Sequence, residues 1–348
     1  MPNYQVKITP LEYYFFGGEK HNEDLTTNYF VESNDYPQQS TLLGLVRYFL
    51  LQNNNLLGGK ALPEIHRKAA TELIGESSFD FNSNPQTFGT IKSISPLYFN
   101  DGTQNYYFAP LDILFDCGDN FLLSKNRDPY NAKDHFKLMQ QNLIGANDNS
   151  LISLNSIIQS VYQVGNEKEQ KENAFYKQNM KRLEKNWAFV IDVNIERDTV
   201  DNKEEEMEHK EYYLPFGGEK CFFKLSLKKQ EAFIPTYPTK HQRNKPCLFC
   251  YGDCFIDSIE IKKLPFAVNN FISFRNLRSK ITTGNFHALK EEKDIEKSMI
   301  RSDRYQLLQR GSVLYFNSAA ERSEVKAIIE ATHGSAIGFN KILINNIN

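Results

Sequence analysis

The stretch from Tyr305 to Ile344, YQLLQRGSVLYFNSAAERSEVKAIIEATHGSAIGFNKILI, limits the possible folds more than any other part of the chain. Strand-forming residues run from Leu307 to Phe316 around one break at Arg310-Gly311-Ser312. From Glu321 to Ala331, apolar Val325, Ile328 and Ile329 recur at helical spacing, which predicts an amphipathic helix. His333 to Asn340 is a glycine-bearing loop that leads into a final strand, Lys341 to Ile347. Strand, helix, loop, strand is half of a ferredoxin-like βαββαβ unit. Gly334 and Gly338 let a backbone approach a phosphate closely and offer N–H groups to it, although two glycines equally mark a plain turn.

The N-terminal part supplies a second such beginning. Tyr4 to Phe16 reads as a strand, with Pro10 predicting an edge position or a bulge. A helix is expected from Pro37 to Leu51, capped by Ser40 or Thr41 and apolar on nearly every side. Its one charge, Arg47, needs a carboxylate or a phosphate if the helix is buried, and the helix N-terminus is itself an anion site. Residues 87–99 and 104–115 form a hairpin about Asp101-Gly102. Residues 116–185 look like an insertion with a helix over Asn173 to Lys185, and Trp187 to Ile195 is a strand. The string FGGEK occurs at 16–20 and at 216–220, each time beside an aromatic strand, which suggests two related halves.

Charge is unevenly placed. Residues 1–150 carry a net −6, residues 151–219 a net −5 and residues 220–348 a net +9. An acidic half and a basic half suit a protein that meets nucleic acid on one face and protein on another. Lys262 to His287 holds no acidic residue; its Lys262, Lys263, Arg275, Arg278, Lys280 and His287 alternate with phenylalanines that could stack on unpaired bases or fill a core. No run of 18 apolar residues exists, so no spanning helix is expected. The start of the chain lacks the features of a signal peptide, and five cysteines, an odd number, fit a reducing compartment; a cytoplasmic protein is expected.

Three thiols, Cys247, Cys250 and Cys254, fall close together, but only one knuckle is visible where zinc sites usually pair two; no metal and no cofactor are expected. Seven scattered histidines show no catalytic spacing. Walker, HExxH and nucleophile-elbow motifs are missing from the sequence.

Several islands, in order, resemble the RAMP superfamily of CRISPR-associated proteins. They are Pro37 to Arg47 opening the first helix after an aromatic strand, Gly217-Gly218-Glu219, the strand Arg310 to Phe316, and the loop Gly334 to Asn340. Together they look like the crRNA 5′-handle-binding subunit of type III-B (Cmr) effector complexes. The resemblance implies an α+β chain of two tandem ferredoxin-like (RRM-like) domains with insertions. We set these at 1–200, with the long insertion at about 116–185, and at 201–348.

It also implies a non-catalytic role: holding the 5′ handle, pairing with the large polymerase-like subunit, touching a backbone RAMP subunit and meeting target RNA in the assembled complex. No membrane is implied. Ser40, Thr41 and Arg47 would meet phosphates, as would the loop His333, Gly334, Ser335, Gly338, Phe339, Asn340 and Lys341. Gly217, Gly218 and Lys220 would support the same groove. From the basic stretch, Arg275, Arg278 and Lys280 are added as RNA contacts. The loop departs from the richer glycine pattern usual in RAMPs. An alternative is a RAMP endoribonuclease that processes precursor crRNA without metal through His21 and His333. In either case a hairpin at 88–115 or the 116–185 insert would form a thumb beside the guide.

Overall fold

The computed structural model describes residues 3–17, 29–58, 62–82, 86–118, 120–125, 128–131, 133, 140–166, 175–196, 210–219, 221–236, 245–256, 264–278 and 300–344. It is a mixed α/β structure, rich in strands and sparing in helices. The first sheet is built around β1 (Asn3–Pro10), which lies in its middle. On one side β1 pairs antiparallel with β13 (Ala188–Ile195), and β13 pairs with β3 (Ile91–Ile94) and β4 (Tyr98–Asn100). Beyond β4 come β5 (Asn105–Phe108), β9 (Asn142–Gly145) and β10 (Leu151–Ser153). On its other side β1 pairs with β15 (Phe222–Lys229), which pairs with β14 (Glu211–Pro215).

The edge position expected for β1 is therefore incorrect. Pro10 is its last residue, where the missing N–H costs no internal ladder bond. Strands β14 and β15 follow residue 200 in the chain yet complete this first sheet.

Helix α1 (Gln39–Asn53) covers one face of the sheet. Its Leu45, Val46 and Phe49 surround a small apolar space with Tyr4, Val6, Val193 and Leu225. The N-cap is Gln38, with no side-chain cap, so Ser40 and Thr41 lie inside the first turn rather than capping it. The Gln39 side chain, 1% exposed, donates instead to the Ser95 carbonyl at 2.7 Å and fixes where the helix starts. A short helix, α2 (Arg67–Ile74), packs beside α1.

The helix expected over 173–185 is also corrected. That segment holds β12 (Phe175–Leu183), which forms a long hairpin with β11 (Ile158–Asn166) and runs parallel to β2 (Tyr29–Glu32). Two neighbouring strands bond its backbone on both sides, and that pairing overrides the helical leaning of its polar residues. Lys181, 7% exposed, ties the hairpin to the body through Asp35 at 2.9 Å and holds Ser160 of the hairpin's other strand at 3.1 Å. A small sheet of β6 (Asp116–Cys117), β7 (Leu123–Lys125) and β8 (Asp128–Pro129) lies in the same insertion.

A second antiparallel sheet has the order β17 (Phe266–Val268), β22 (Val313–Tyr315), β16 (Cys247–Cys250), β23 (Ile342–Ile344). Helix α3 (Ala319–Glu330) lies on one side of it. Ser318 caps α3 by accepting from the Glu321 N–H, while Glu321 accepts from the Asn317 N–H, a reciprocal closure of the helix start. The sheet's alternation divides its core: Leu248, Cys250 and Leu314 face α3, whereas Cys247, Phe249, Val313 and Tyr315 face Tyr98, Tyr107 and Val190 of the first sheet. Cys247 and Cys250 thus point to opposite sides, and the three thiols do not converge. Among the described residues no cluster of His, Cys, Asp and Glu could hold a metal.

Two short ribbons, β18 (Phe271–Phe274) with β21 (Tyr305–Leu308) and β19 (Leu277–Arg278) with β20 (Ile300–Arg301), extend the second unit. Of the apolar-basic stretch Lys262 to His287, residues 262–263 and 279–287 lie outside the described residues. The described starts of the two FGGEK copies meet in space at one sheet rather than marking two halves. Gly218 N–H donates to the Phe15 carbonyl at 2.8 Å, and the Phe16 and Phe216 rings lie 5.1 Å apart, both at the first sheet.

Between the two sheets sits Arg310, 1% exposed. Its Nε donates to Asp253 Oδ1 at 3.1 Å, its Nη2 to Oδ2, and its backbone N–H to Oδ1 at 2.9 Å. The guanidinium carbon lies 4.9 Å from the Tyr36 ring and 5.1 Å from the Phe108 ring. Burial alone would lower its pKa, but the charge and hydrogen bond of Asp253, with Tyr36 and Cys254, together offset this and raise it. Removing one partner of such a pair leaves a bare buried charge. Asp253→Ala should therefore cost about 3–5 kcal/mol, and Arg310→Met with Asp253→Leu should recover most of it. Urea unfolding of the three proteins measures this; a single variant as stable as the parent sinks the assignment.

Asp192 of β13 presents a second buried charge, 2% exposed. Its Oδ2 accepts from the Phe233 N–H at 2.9 Å and the Tyr98 hydroxyl at 3.2 Å. Burial nevertheless lifts its pKa to about 6. The fold disfavours the ionised form, so the group's contribution is greatest below the unfolded carboxyl's pKa, about 3.9, and is lost as pH rises through about 6. Asp192→Asn should stabilise the protein by roughly 2–3 kcal/mol at pH 7.5 and by little at pH 3.5. Equal gains in Tm at both pH values would show that burial of the charge is not the cause.

Candidate nucleic-acid interface

Two segments some three hundred residues apart in the chain meet at the start of α1. A 3-10 turn, His333–Ile337, ends at Gly338, whose φ is +91°. A Cβ on Gly338 would lie 2.4 Å from Gln39 Nε2 and 2.7 Å from the Ser95 carbonyl oxygen. The opposite side of the same loop is equally close: a Cβ on Gly252 would stand 2.6 Å from the Gly338 oxygen. Glycine is thus required here by both conformation and approach, which is more than a plain turn needs. The first turn of α1 carries no acidic residue, so the positive end of the helix dipole is not offset.

Around this junction Ser40, Thr41, Ser335 and Lys341 are half-buried, each with part of its surface open to solvent. Burial lowers the Lys341 pKa while Glu330 partly restores it. Tyr251 adjoins them: its backbone N–H donates to the Lys341 carbonyl at 3.0 Å, and burial pushes its hydroxyl pKa up to about 12. Gln39, Gly252 and Tyr251 are contributions that the sequence did not reveal, because each matters through a partner far along the chain.

Other expected contacts are placed elsewhere. Phe339 is 1% exposed and stacks on Phe79 at 5.2 Å, while Asn340 is fully buried, holding both backbone groups of Phe255. Gly334 is buried against Phe81. These three are corrected from RNA contacts to supports of the loop. His333 Nε2 lies 2.6 Å from the Asp80 carbonyl, and its ring is 5.5 Å from that of Phe79.

Arg47 is likewise turned inward. Its Nη1 donates to the Ser77 carbonyl at 2.9 Å, its Nε and Nη2 are sealed from solvent without partners, and Phe88 lies 5.8 Å away. Burial lowers its pKa to about 10, so the charge persists at neutral pH. Among the described residues Arg47 meets no carboxylate of the kind expected.

Gly217 and Gly218 sit at the β14–β15 turn against Phe15. Ser95, which marks the junction, is bonded to Asp192 opposite Gln5, whereas the turn lies past Pro10. Five strand residues, roughly 16 Å, separate the two places, so they do not form one groove. Arg275 is exposed and its Nε donates to the Ser302 carbonyl. Arg278 lies in β19, its side chain outside the described residues, as are Lys220, Lys280 and His21 altogether.

The chain has the fold of one in the cryo-EM structure of the type III-B Cmr-beta complex bound to cognate target RNA, with a TM-score of 0.51, 14% identity and coverage of 97% of this chain and 96% of that one. Residues 6–151 match the family described as CRISPR-associated protein (Cas_Cmr3). Sequence match and fold together support a RAMP-like type III Cmr protein.

Weaker likenesses are found to the same complex with target RNA and AMPPnP (TM-score 0.48, 14% identity, 97% and 96% covered). The Csm3–Csm4 subcomplex of the type III-A interference complex is more distant (TM-score 0.36, 11% identity, 91% and 93% covered). No curated protein sequence matches the chain.

Gly338→Ala separates close approach from backbone strain. Gly102 has a similar φ of +95° but open space around it, so Gly102→Ala bears the strain alone. We expect Gly338→Ala to cost at least about 1 kcal/mol more than Gly102→Ala. It should also speed amide exchange at residues 39–42, and equal costs without faster exchange would count against the junction.

Proposed function

We propose that the chain is a non-catalytic subunit of a type III-B CRISPR effector complex that binds the 5′ handle of crRNA. The meeting of the α1 N-terminus with the loop 333–341 carries this reading. It gathers helix dipole, backbone N–H groups, Ser40, Thr41, Ser335 and Lys341 into one anion-binding surface. In this reading the large polymerase-like subunit and a backbone RAMP subunit are its protein partners, target RNA is met in the assembled complex, and the work is done in the cytoplasm.

The chain's two units are read as tandem ferredoxin-like modules joined after residue 229. Counting strands along each unit, β1, β3–β4, β13 and β15 in the first and β16, β17, β22 and β23 in the second, both sheets follow the order second, third, first, fourth, antiparallel throughout. That is the order of the βαββαβ fold, and α1 and α3 occupy its first and second helix positions. The β11–β12 hairpin suits the thumb, since Tyr162 and Val164 stand out from it, 57% and 72% exposed.

No chemistry is assigned to His333, which faces a carbonyl and a phenylalanine ring. Repeat RNA should stay intact with the purified protein in EDTA.

The test is anisotropy of labelled crRNA with and without the handle, on the parent chain and on Thr41→Asp with Lys341→Ala. Handle-dependent binding should weaken at least about tenfold, with the salt slope shallower by about 0.7 for the lost lysine. Unchanged affinity and slope, with Tm preserved, would remove the proposed surface.

A further inference from the structure

The first sheet has two halves on its outward side, and among the described residues only one is covered. Over β4, β5 and β13, Tyr98, Tyr107 and Val190 pack against Cys247, Phe249 and Tyr315 of the second sheet. Over β1, β15 and β14 the alternation turns a different set outward: Lys7 and Thr9 from β1, Phe222, Lys224, Ser226 and Lys228 from β15, and Tyr213 from β14. Phe222 is 51% exposed and Tyr213 is 55% exposed, while their neighbours Phe223 and Leu214 fill the core beneath. These two rings are therefore surplus to the core.

Register places them together. Tyr213 pairs with Lys224 and Pro215 with Phe222, so the two rings are diagonal neighbours, about 7–8 Å apart at their Cα atoms. Leu11, also exposed, donates its N–H to the Phe222 carbonyl and extends the apolar patch.

Charge decides what such a face can take. On this side of the three strands Lys7, Lys224 and Lys228 stand against one carboxylate, Glu211, which holds Lys224 and the Tyr213 hydroxyl at 3.0 Å each. Burial, then repulsion from Lys228, lowers the Lys7 pKa, with Asp101 acting in the opposite sense. Protein interfaces are enriched in aromatics but depleted in lysine. Exposed rings interleaved with lysines and with small polar Thr9 and Ser226 suit stacked bases and a phosphate backbone.

We propose that this open half-face is a second RNA-binding surface, on which unpaired bases stack against Phe222 and Tyr213 while Lys7, Lys224 and Lys228 meet the phosphates. It rests on the reading that the chain works on RNA, but it is separate from the α1 junction, which α1 places on the other face of the sheet. Stacking on any base is tolerant of sequence, so the surface takes guide or target nucleotides outside the handle.

The experiment uses the full chain and a labelled, mixed-sequence, handle-free 20-nucleotide RNA, followed by anisotropy over a salt series. Phe222→Leu with Tyr213→Leu keeps the apolar area but removes the rings, and should weaken binding roughly tenfold. Phe222→Trp should retain it. Lys7→Gln with Lys228→Gln should flatten the salt slope by about 1.4.

The same variants are assayed on handle-bearing crRNA and for association with the other effector subunits. Handle-free binding indifferent to both pairs of changes overturns the proposal while leaving the α1 junction intact. So does loss of subunit association with RNA binding unchanged, which would make the face a protein dock. Absence of binding to either RNA removes this proposal and the handle reading together.

Discussion

The Arg310–Asp253 pair is the interaction on which the arrangement of the two sheets depends. A guanidinium in a nearly dry interior is tolerable only with a carboxylate aligned to it and with rings over its faces, and here Asp253 comes from one unit while Tyr36 and Phe108 come from the other. The adjoining backbone continues the tie. Gly311 N–H donates to the Cys250 carbonyl and the Gly311 carbonyl accepts from Leu111, each at 2.7 Å. The break that interrupts the strand between Leu308 and Val313 is thus where the two units are fastened, and its polar residues are spent on structure.

A similar economy governs the loop after α3. Phe339 joins the rings of Phe79, Phe81 and Phe274, and Asn340 holds Phe255 and the Ile329 carbonyl. With those side chains and the N–H groups of Ser335, Gly338, Phe339 and Asn340 committed inside, small or flexible side chains such as Ser335 and Lys341 are left partly open to solvent.

The sequence made the local features legible. Glycine placement, the apolar run of α1, the periodicity of α3, the Asp101-Gly102 hairpin and the strand Ala188–Ile195 all follow from neighbours within a few residues. What it concealed was set by distant partners. The segment Phe175–Leu183 is a strand because β11 and β2 flank it, and β1 is central because β13 and β15 arrive from far along the chain.

Of the expected site, Ser40, Thr41, Ser335, Gly338 and Lys341 are brought to one place, while Gly334, Phe339 and Asn340 support the loop from inside and Arg47 is turned toward Ser77. Composition could not separate these groups, since an arginine or phenylalanine near a glycine loop serves a core and a ligand equally well. Phe222 and Tyr213 illustrate the converse: they alternate like any strand aromatics, and only the register with Lys224 and Lys7 shows which face they occupy.

The close approach of Gly338 to Gln39 sets a schedule for the chain's birth on the ribosome. Residue 39 emerges early, yet the ground it rests on does not exist until residue 338 has been translated. The centre of the first sheet waits similarly for β13 and then β15. Contacts this distant close slowly and leave apolar strands uncovered in the meantime. Until those partners arrive, β1 and α1 lack the strands and loop that bury their apolar faces in the folded chain. The junction at the α1 N-terminus is assembled only once residue 338 has been made, so a chain that stops short of it lacks the surface on which Gln39 rests.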